Sequence, residues 1–187
     1  MVISSFKDMR RLIIIVFLLM VTLHQCQETP EYPPEPFINY ESFFLYISEN
    51  SLEQDVLTGR LNFSFTDGDG NVGFDPLPDS LAIGKPDSLR YNLFLQVYDQ
   101  QDDEFIKIPK DEGGYLKYNI PYLDKQPLSG TISVTIEYPI IRYDTIFYTF
   151  FLYDREFNKS NVDTTDVWIL RDISDNDSKQ TILGNLP

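Results

Sequence analysis

The chain contains very little histidine or cysteine: His24 and Cys26 are the only residues of their kinds among 187. Both precede the region that could fold as a domain. Ser-His-Asp and Cys-His catalytic arrangements need these side chains, and so does a zinc site built on histidine or cysteine. These chemistries are therefore excluded for the body of the chain, and we predict that the protein is not an enzyme. A hydrolase based on paired carboxylates remains the less favoured alternative.

Positive charge is also scarce. The chain has 15 lysines and arginines and 29 aspartates and glutamates, which gives a formal net charge of -14. A surface this acidic repels phosphate backbones, so nucleic acid is excluded as a partner. The same charge opposes direct electrostatic binding to anionic lipid.

The longest apolar run is too short to span a bilayer. It extends from Leu12 to Leu23, whereas a spanning helix needs about 20 residues. Basic residues precede it, as in a secretory signal. Leu23-His24-Gln25-Cys26 resembles a bacterial lipobox, and a lone cysteine in an exported chain has no disulfide partner. We predict a signal peptide at residues 1–25 and lipidation of Cys26, which would anchor the protein to a membrane; the alternative is a free thiol.

The rest of the chain divides into a tether, one domain and a tail. Prolines and glutamates in residues 26–36 indicate a stiff, extended tether. Residues 37–171 contain strand-like runs separated by turns and no helical period, which predicts a single immunoglobulin-like antiparallel β-sandwich of about seven strands. Residues 172–187 lack a core pattern and are predicted to be a flexible tail. The expected strands are 37–48, 56–66, 91–98, 105–108, 132–138, 146–153 and 162–170, with a short extra strand within 115–122.

An acidic, glycine-rich loop follows the second expected strand. Its oxygen-bearing side chains make it a candidate calcium site with the ligands Asp67, Asp69, Asn71 and Asp75. It is not an EF-hand, because Val72 occupies the position of the required glycine and no helix flanks the loop. The alternative is a turn held by its own hydrogen bonds, without an ion. The strand order predicts that this loop approaches residues 154–160, where Asp154 or Asn158 could complete the site.

Alternation in two expected strands predicts an aromatic surface. If the even-numbered residues of 146–153 are core, the odd-numbered ones face outward, and the neighbouring strand 91–98 adds two further rings. A monomer gains little from such a patch, which either recognises a partner or is covered by another part of the chain. The candidate binding surface is Phe94, Tyr98, Phe147, Phe151 and Tyr153.

Two of these segments together resemble a known group. The acidic loop, Asp67-Gly68-Asp69-Gly70-Asn71-Val72-Gly73, and the turn from Asp154 to Asn161 are similar to motifs of small Bacteroidota lipoproteins with one immunoglobulin-like domain. The resemblance covers most of residues 37–171. It implies the fold and a lipid-anchored location in the cell envelope, at the outer membrane, on its periplasmic or its outer side. It implies no activity.

These observations favour a non-enzymatic binding or structural module of the envelope, with an envelope protein or a glycan as its partner. The main alternative is a glycan-binding accessory lipoprotein of a polysaccharide-capture system.

Overall fold

The computed structural model describes residues 9–11, 32–76, 81, 84–122 and 129–170. The chain forms two compact units, Met1–Glu31 and Tyr32–Pro187. In the first unit, residues 9–11 are helical. The predicted signal peptide, the Cys26 lipidation site and the C-terminal tail otherwise lie outside the described residues. Within the described residues, no helix is long and apolar enough to cross a membrane.

A three-stranded antiparallel sheet forms one layer of the second unit. Its strands are β1 (Phe37–Glu49), β2 (Asp55–Thr66) and β6 (Ser129–Tyr138), in the order β1-β2-β6. The register of β1 and β2 shifts between Tyr40 and Ser42. Such an irregularity bends an edge strand and increases its twist.

A six-stranded sheet forms the other layer. Its strands are β3 (Leu93–Gln101), β4 (Glu104–Lys107), β5 (Tyr115–Tyr118), β7 (Thr145–Leu152), β8 (Asp163–Thr164) and β9 (Trp168–Ile169). β3 and β7 lie at its centre. β4 and β5 pair with one edge of β3, while β8 and β9 pair with the far edge of β7.

The core lies between the two sheets. Alternate residues of β7 are buried, in agreement with the period of two in its sequence, and so are those of β2 that face them. Rings from the two layers meet across the core: Phe63 and Phe150 lie 5.2 Å apart, and Phe43 and Trp168 lie 5.4 Å apart. The predicted all-β antiparallel sandwich is confirmed.

The last expected strand is divided into two short ones, β8 and β9. Between Ser160 and Asp166 the chain bonds alternately to both layers. Asn161 hydrogen-bonds the backbone of Ile38 in β1 through its side chain, whereas Thr165 bonds the backbone of Tyr148 in β7. This segment connects the edges of the two sheets and cannot continue as one regular strand. The extra strand expected within 115–122 is present as β5.

Candidate functional site

The acidic loop begins directly after β2 and is organised by Asp67. This side chain is fully buried, and its Oδ2 accepts hydrogen bonds from the backbone N–H groups of Asn71, at 2.7 Å, and Val72, at 3.0 Å. The side chain of Asn71 in turn donates to Asp69 Oδ2 at 2.8 Å. The loop is therefore closed by its own polar groups at one end of the sandwich, with Asp67 buried and Asp69 exposed.

Glycines in this loop allow close approach by other segments. The N–H of Gly68 donates to the carbonyl of Pro33 at 2.8 Å, and a Cβ on Gly68 would lie 2.1 Å from the carbonyl oxygen of Tyr32. Gly73 has a φ of 85°, and a Cβ there would lie 2.2 Å from the carbonyl oxygen of Pro121. The final residues of the predicted tether thus contact the acidic loop.

The loop after β7 is built in the same manner around Asp154. This carboxylate is 1% exposed and accepts hydrogen bonds at 2.8 Å from the N–H groups of Glu156 and Asn158 and from Asn158 Nδ2. Two separate loops each place an aspartate inside a turn.

The two loops meet, as their strand order predicts. Carboxylate oxygens of Asp67, Asp69 and Asp154 all lie within 4.8 Å of one another. Arg155 strengthens the contact by donating to the backbone carbonyls of Asn71, at 3.0 Å, and Gly70, at 3.3 Å. We call Asp67, Asp69, Asn71 and Asp154 the acidic cluster.

Of the four ligands predicted from the sequence, Asp67, Asp69 and Asn71 lie together in the acidic cluster. Asp75 is exposed and lies outside the group of three converging carboxylates. It borders a neighbouring cavity that Asp154 also lines. Asp154, which the strand order had also indicated as a ligand, takes the place predicted for Asp75, because the β7–β8 loop packs against the acidic loop.

Burial and neighbouring charge make ionisation of Asp67 unfavourable. The pKa of Asp67 is raised to about 6, first because the carboxyl is buried and next because Asp69 is close. Two backbone N–H donors oppose this shift, and the charge of Asp154 adds to it. At neutral pH the ionised Asp67 therefore costs folding free energy, which a cation beside it would offset.

The outer face of the six-stranded sheet carries a stack of rings across three strands. Phe94 of β3 lies between Phe151 of β7, at 5.4 Å, and Tyr115 of β5, at 5.8 Å, and both pairs are stacked. The ammonium of Lys159 lies 3.9 Å from the centre of the Phe151 ring, and that of Lys110 lies 5.5 Å from the centre of the Tyr115 ring. Ammonium groups at such positions are attracted to the ring faces.

A second row of rings lies beside this stack. Tyr98 and Phe147 stack at 4.7 Å with an angle of 2° between their planes, and Phe105 of β4 meets Phe147 edge-on at 4.9 Å. Tyr153 meets Phe94 and Phe151 edge-on. We call this face the aromatic face; its rings are Phe94, Tyr98, Phe105, Tyr115, Phe147, Phe151 and Tyr153.

All five residues predicted for the binding surface belong to the aromatic face. Phe94 is only 3% exposed, because rings on adjacent strands cover it, whereas the other four are half-buried. Sequence reasoning missed Tyr115 and Phe105. A signal was available for Tyr115. It lies two positions from Lys117 in β5, and residues two positions apart share one face of a strand.

The outer face of the three-stranded sheet is mainly polar, although Phe44 and Tyr46 of β1 lie on it. Asn62 of β2 donates to Ser42 of β1 at 3.0 Å and accepts from Ser133 of β6 at 2.6 Å, so a polar ladder crosses all three strands. A solvated sheet face is expected to be polar. The two outer faces thus differ within one molecule. The clustering of rings on the aromatic face does not follow from the aromatic content of the chain alone.

Comparison with protein-family models, with curated proteins and with solved structures gives no match.

Proposed function

We propose that the protein is a non-enzymatic binding module of the cell envelope, anchored through Cys26, and that the aromatic face is its recognition surface. The observation that supports this most directly is the contrast between the two outer faces of the sandwich. Clustered, partly exposed apolar side chains on a soluble domain mark interaction sites more often than they serve stability. Aromatic residues are also enriched where protein interfaces derive most of their binding energy.

The arrangement of the rings favours a protein partner over a glycan. Sugar rings bind by lying flat on an aromatic face, but Phe94 is enclosed on both sides by Phe151 and Tyr115. Tyr98 and Phe147 likewise cover one face of each other. What the aromatic face offers to solvent is mainly ring edges, which suit the side chains of a protein interface.

Lysines on this face suggest the charge of the partner. Lys159 lies against Phe151, and Lys107 pairs with Tyr98 across β3 and β4, which places it on the same side of the sheet. In a chain with a net charge of -14, these cations favour a partner surface that supplies carboxylates.

The acidic cluster does not favour hydrolysis. Both oxygens of Asp154 accept hydrogen bonds from its own loop, and Asp67 Oδ2 accepts two backbone bonds. A carboxylate in this role supports the backbone and is poorly placed to act as nucleophile or general base. The carboxylate-hydrolase alternative is therefore the weaker one.

The recognition surface is tested by site-specific photo-crosslinking of the full-length protein in its native membranes. A photoreactive phenylalanine at Phe105, which is 37% exposed at the rim of the aromatic face, should give a discrete crosslinked protein. The same probe at Thr135, exposed on β6 of the other sheet, is the matched control and should give none. Phe147→Thr combined with Phe151→Thr should reduce the product at Phe105 at least tenfold, because the rings that contact the partner are removed.

Equal crosslinking at both positions, or a product at Phe105 unchanged by the double substitution, would contradict the proposal. Circular dichroism of the double variant must show a folded sandwich. Saturable binding of a polysaccharide that the double variant loses would instead support the glycan-capture alternative.

The anchor is tested by Cys26→Ala. An acidic domain has no electrostatic attraction to anionic lipid, so removal of the acylated thiol should move the protein from the membrane fraction to the soluble fraction. Intact-mass measurement of the unaltered protein should show a cysteine carrying acyl chains. An unmodified cysteine, or a variant that remains with the membranes, would refute the lipoprotein assignment.

A further inference from the structure

We propose that the acidic cluster is a Ca²⁺ site that joins the β2–β3 connection to the β7–β8 loop. The protein ligands are the carboxylates of Asp67, Asp69 and Asp154 and the side-chain oxygen Asn71 Oδ1. This site is distinct from the aromatic face, and the inference does not depend on the binding role proposed for that face.

The spacing of the carboxylates suits calcium. Two oxygens bound to one ion lie no farther apart than twice the metal–oxygen distance, which is about 4.6–5.2 Å for Ca²⁺ and about 4.0–4.2 Å for Mg²⁺. The three carboxylate oxygens lie within 4.8 Å of one another. A Ca²⁺ ion can therefore contact all three with little rearrangement of the loops.

Two buried oxygens in the cluster have no hydrogen-bond partner among the described residues. They are Asp67 Oδ1 and Asn71 Oδ1, on side chains that are 0% and 9% exposed. The Asn71 amide is held in the cluster, since its Nδ2 donates to Asp69 Oδ2 at 2.8 Å. Buried polar atoms without partners are rare in proteins and call for an explanation. A bound cation provides one, because it would take a lone pair from each oxygen.

The nearby arginine does not serve as the counter-ion of these acids. Hydrogen bonds from the Arg155 guanidinium go to the carbonyls of Asn71 and Gly70. Arg155 thus holds the acidic loop through its backbone carbonyls, and the carboxylates remain close to one another. Like charges at this spacing repel unless a cation lies between them.

The donor set consists only of oxygens, which selects a hard cation. Three carboxylates and one amide oxygen supply four ligands, and water would complete the six to eight positions that Ca²⁺ prefers. Because the ligands come from both loops, the ion would hold this end of the sandwich together.

The test uses the full-length protein in detergent, stripped with a chelator and then titrated with CaCl₂ or MgCl₂. We expect one calcium per chain by equilibrium dialysis, with half-saturation at about 0.1–1 mM as in extracellular calcium modules. The melting temperature should rise by several degrees at about 2 mM calcium, and by much less with magnesium.

Single substitutions locate the site. Asp69→Asn and Asp154→Asn should each weaken calcium binding at least tenfold, because each removes a charged ligand. Asp75→Asn is the matched control: it removes an acid from the same segment but outside the acidic cluster, and should leave calcium affinity unchanged. Asn71→Asp, which adds a carboxylate, should tighten binding and serves as the test if Asp154→Asn fails to fold.

Three outcomes would overturn the proposal. One is a lack of calcium binding by the unaltered protein at millimolar concentration. Another is loss of binding in Asp75→Asn with retention in Asp69→Asn, which would place the ion elsewhere in the acidic loop. The third is unchanged or weaker affinity in Asn71→Asp.

Discussion

Asp67 performs two tasks with its two oxygens. Oδ2 closes the turn by accepting from two backbone N–H groups, while Oδ1 is buried without a hydrogen-bond partner among the described residues and is free to bind a cation. The first task needs only an acceptor, which an amide can also provide. The second depends on the negative charge of the Asp67 carboxylate, which destabilises the fold without a cation and stabilises it when a cation is bound. These two tasks can be separated by a substitution that preserves shape.

Asp67→Asn should reverse its effect on stability when calcium is added. In chelator we expect the variant to be more stable than the unaltered protein by about 1–2 kcal/mol, because a buried charge and its repulsion by Asp69 and Asp154 are removed while the acceptor oxygen remains. In millimolar calcium the unaltered protein should gain stability and the variant should not. Urea unfolding under both conditions measures the effect, with Asp75→Asn as the control. A variant less stable than the unaltered protein in chelator would contradict the repulsion argument.

The glycines of this loop show what the sequence can and cannot reveal about a single residue. A run of acids and glycines predicts a tight turn with positive φ angles, and Gly70 and Gly73 have them, at 68° and 85°. Gly68 is required for another reason, since the backbone of Tyr32 and Pro33 packs where its side chain would be. That contact joins segments more than 30 positions apart, so local pattern could not predict it.

Among the elements, β7 was the most predictable from sequence. Its residues alternate in burial along its whole length, as the period of two requires, and its pairing with β3 agrees with the strand order that an immunoglobulin-like sandwich predicts. The partners Phe94↔Phe151 and Tyr98↔Phe147 lie side by side in this register. Hydrophobic pattern and topology together were therefore sufficient to predict most of the aromatic face.

The short strands were less predictable, because their positions depend on tertiary contacts. β4 and β5 have four residues each and share one edge of β3, where they add Phe105 and Tyr115 to the aromatic face. β8 and β9 have two residues each, and side chains such as Asn161 provide the bonds that a ladder would otherwise make. Propensity over so few residues contains little information about pairing.

On the scale of the whole molecule, the β7–β8 loop connects the two candidate sites. Asp154 enters the acidic cluster, while Tyr153 and Lys159, which form a β-bridge with each other, border the aromatic face. Any order that an ion imposes on Asp154 would therefore be transmitted to the edge of the aromatic face through one short loop. The two sites are adjacent because the fold brings the ends of β2 and β7 together.

The opposite end of the sandwich contains a group of phenols, of which Tyr148 is buried and Tyr118 and Tyr138 are half-buried. The hydroxyls of Tyr138 and Tyr148 hydrogen-bond each other at 2.7 Å, and Tyr148 is 1% exposed. Burial is the main reason that the pKa values of both are raised well above their usual range, and it raises the pKa of Tyr118 to about 12. These three side chains stay protonated in the folded protein at pH values where an unfolded chain loses the same protons.

We therefore predict that stability falls steeply above pH about 10. A raised folded-state pKa gives stability that is complete below the unfolded value, about 10 for tyrosine, and is lost as pH rises toward the folded value. Each of the three phenols should cost about 1.4 kcal/mol per pH unit in this range.

Urea unfolding between pH about 9 and about 11.5 measures the slope, and tyrosinate absorbance should rise together with unfolding. Tyr118→Phe, which removes the titrating hydroxyl and keeps the ring, should lower the slope by about one proton. Ionisation of all tyrosines in a protein that remains folded would show that these phenols are open to solvent and that the prediction is wrong.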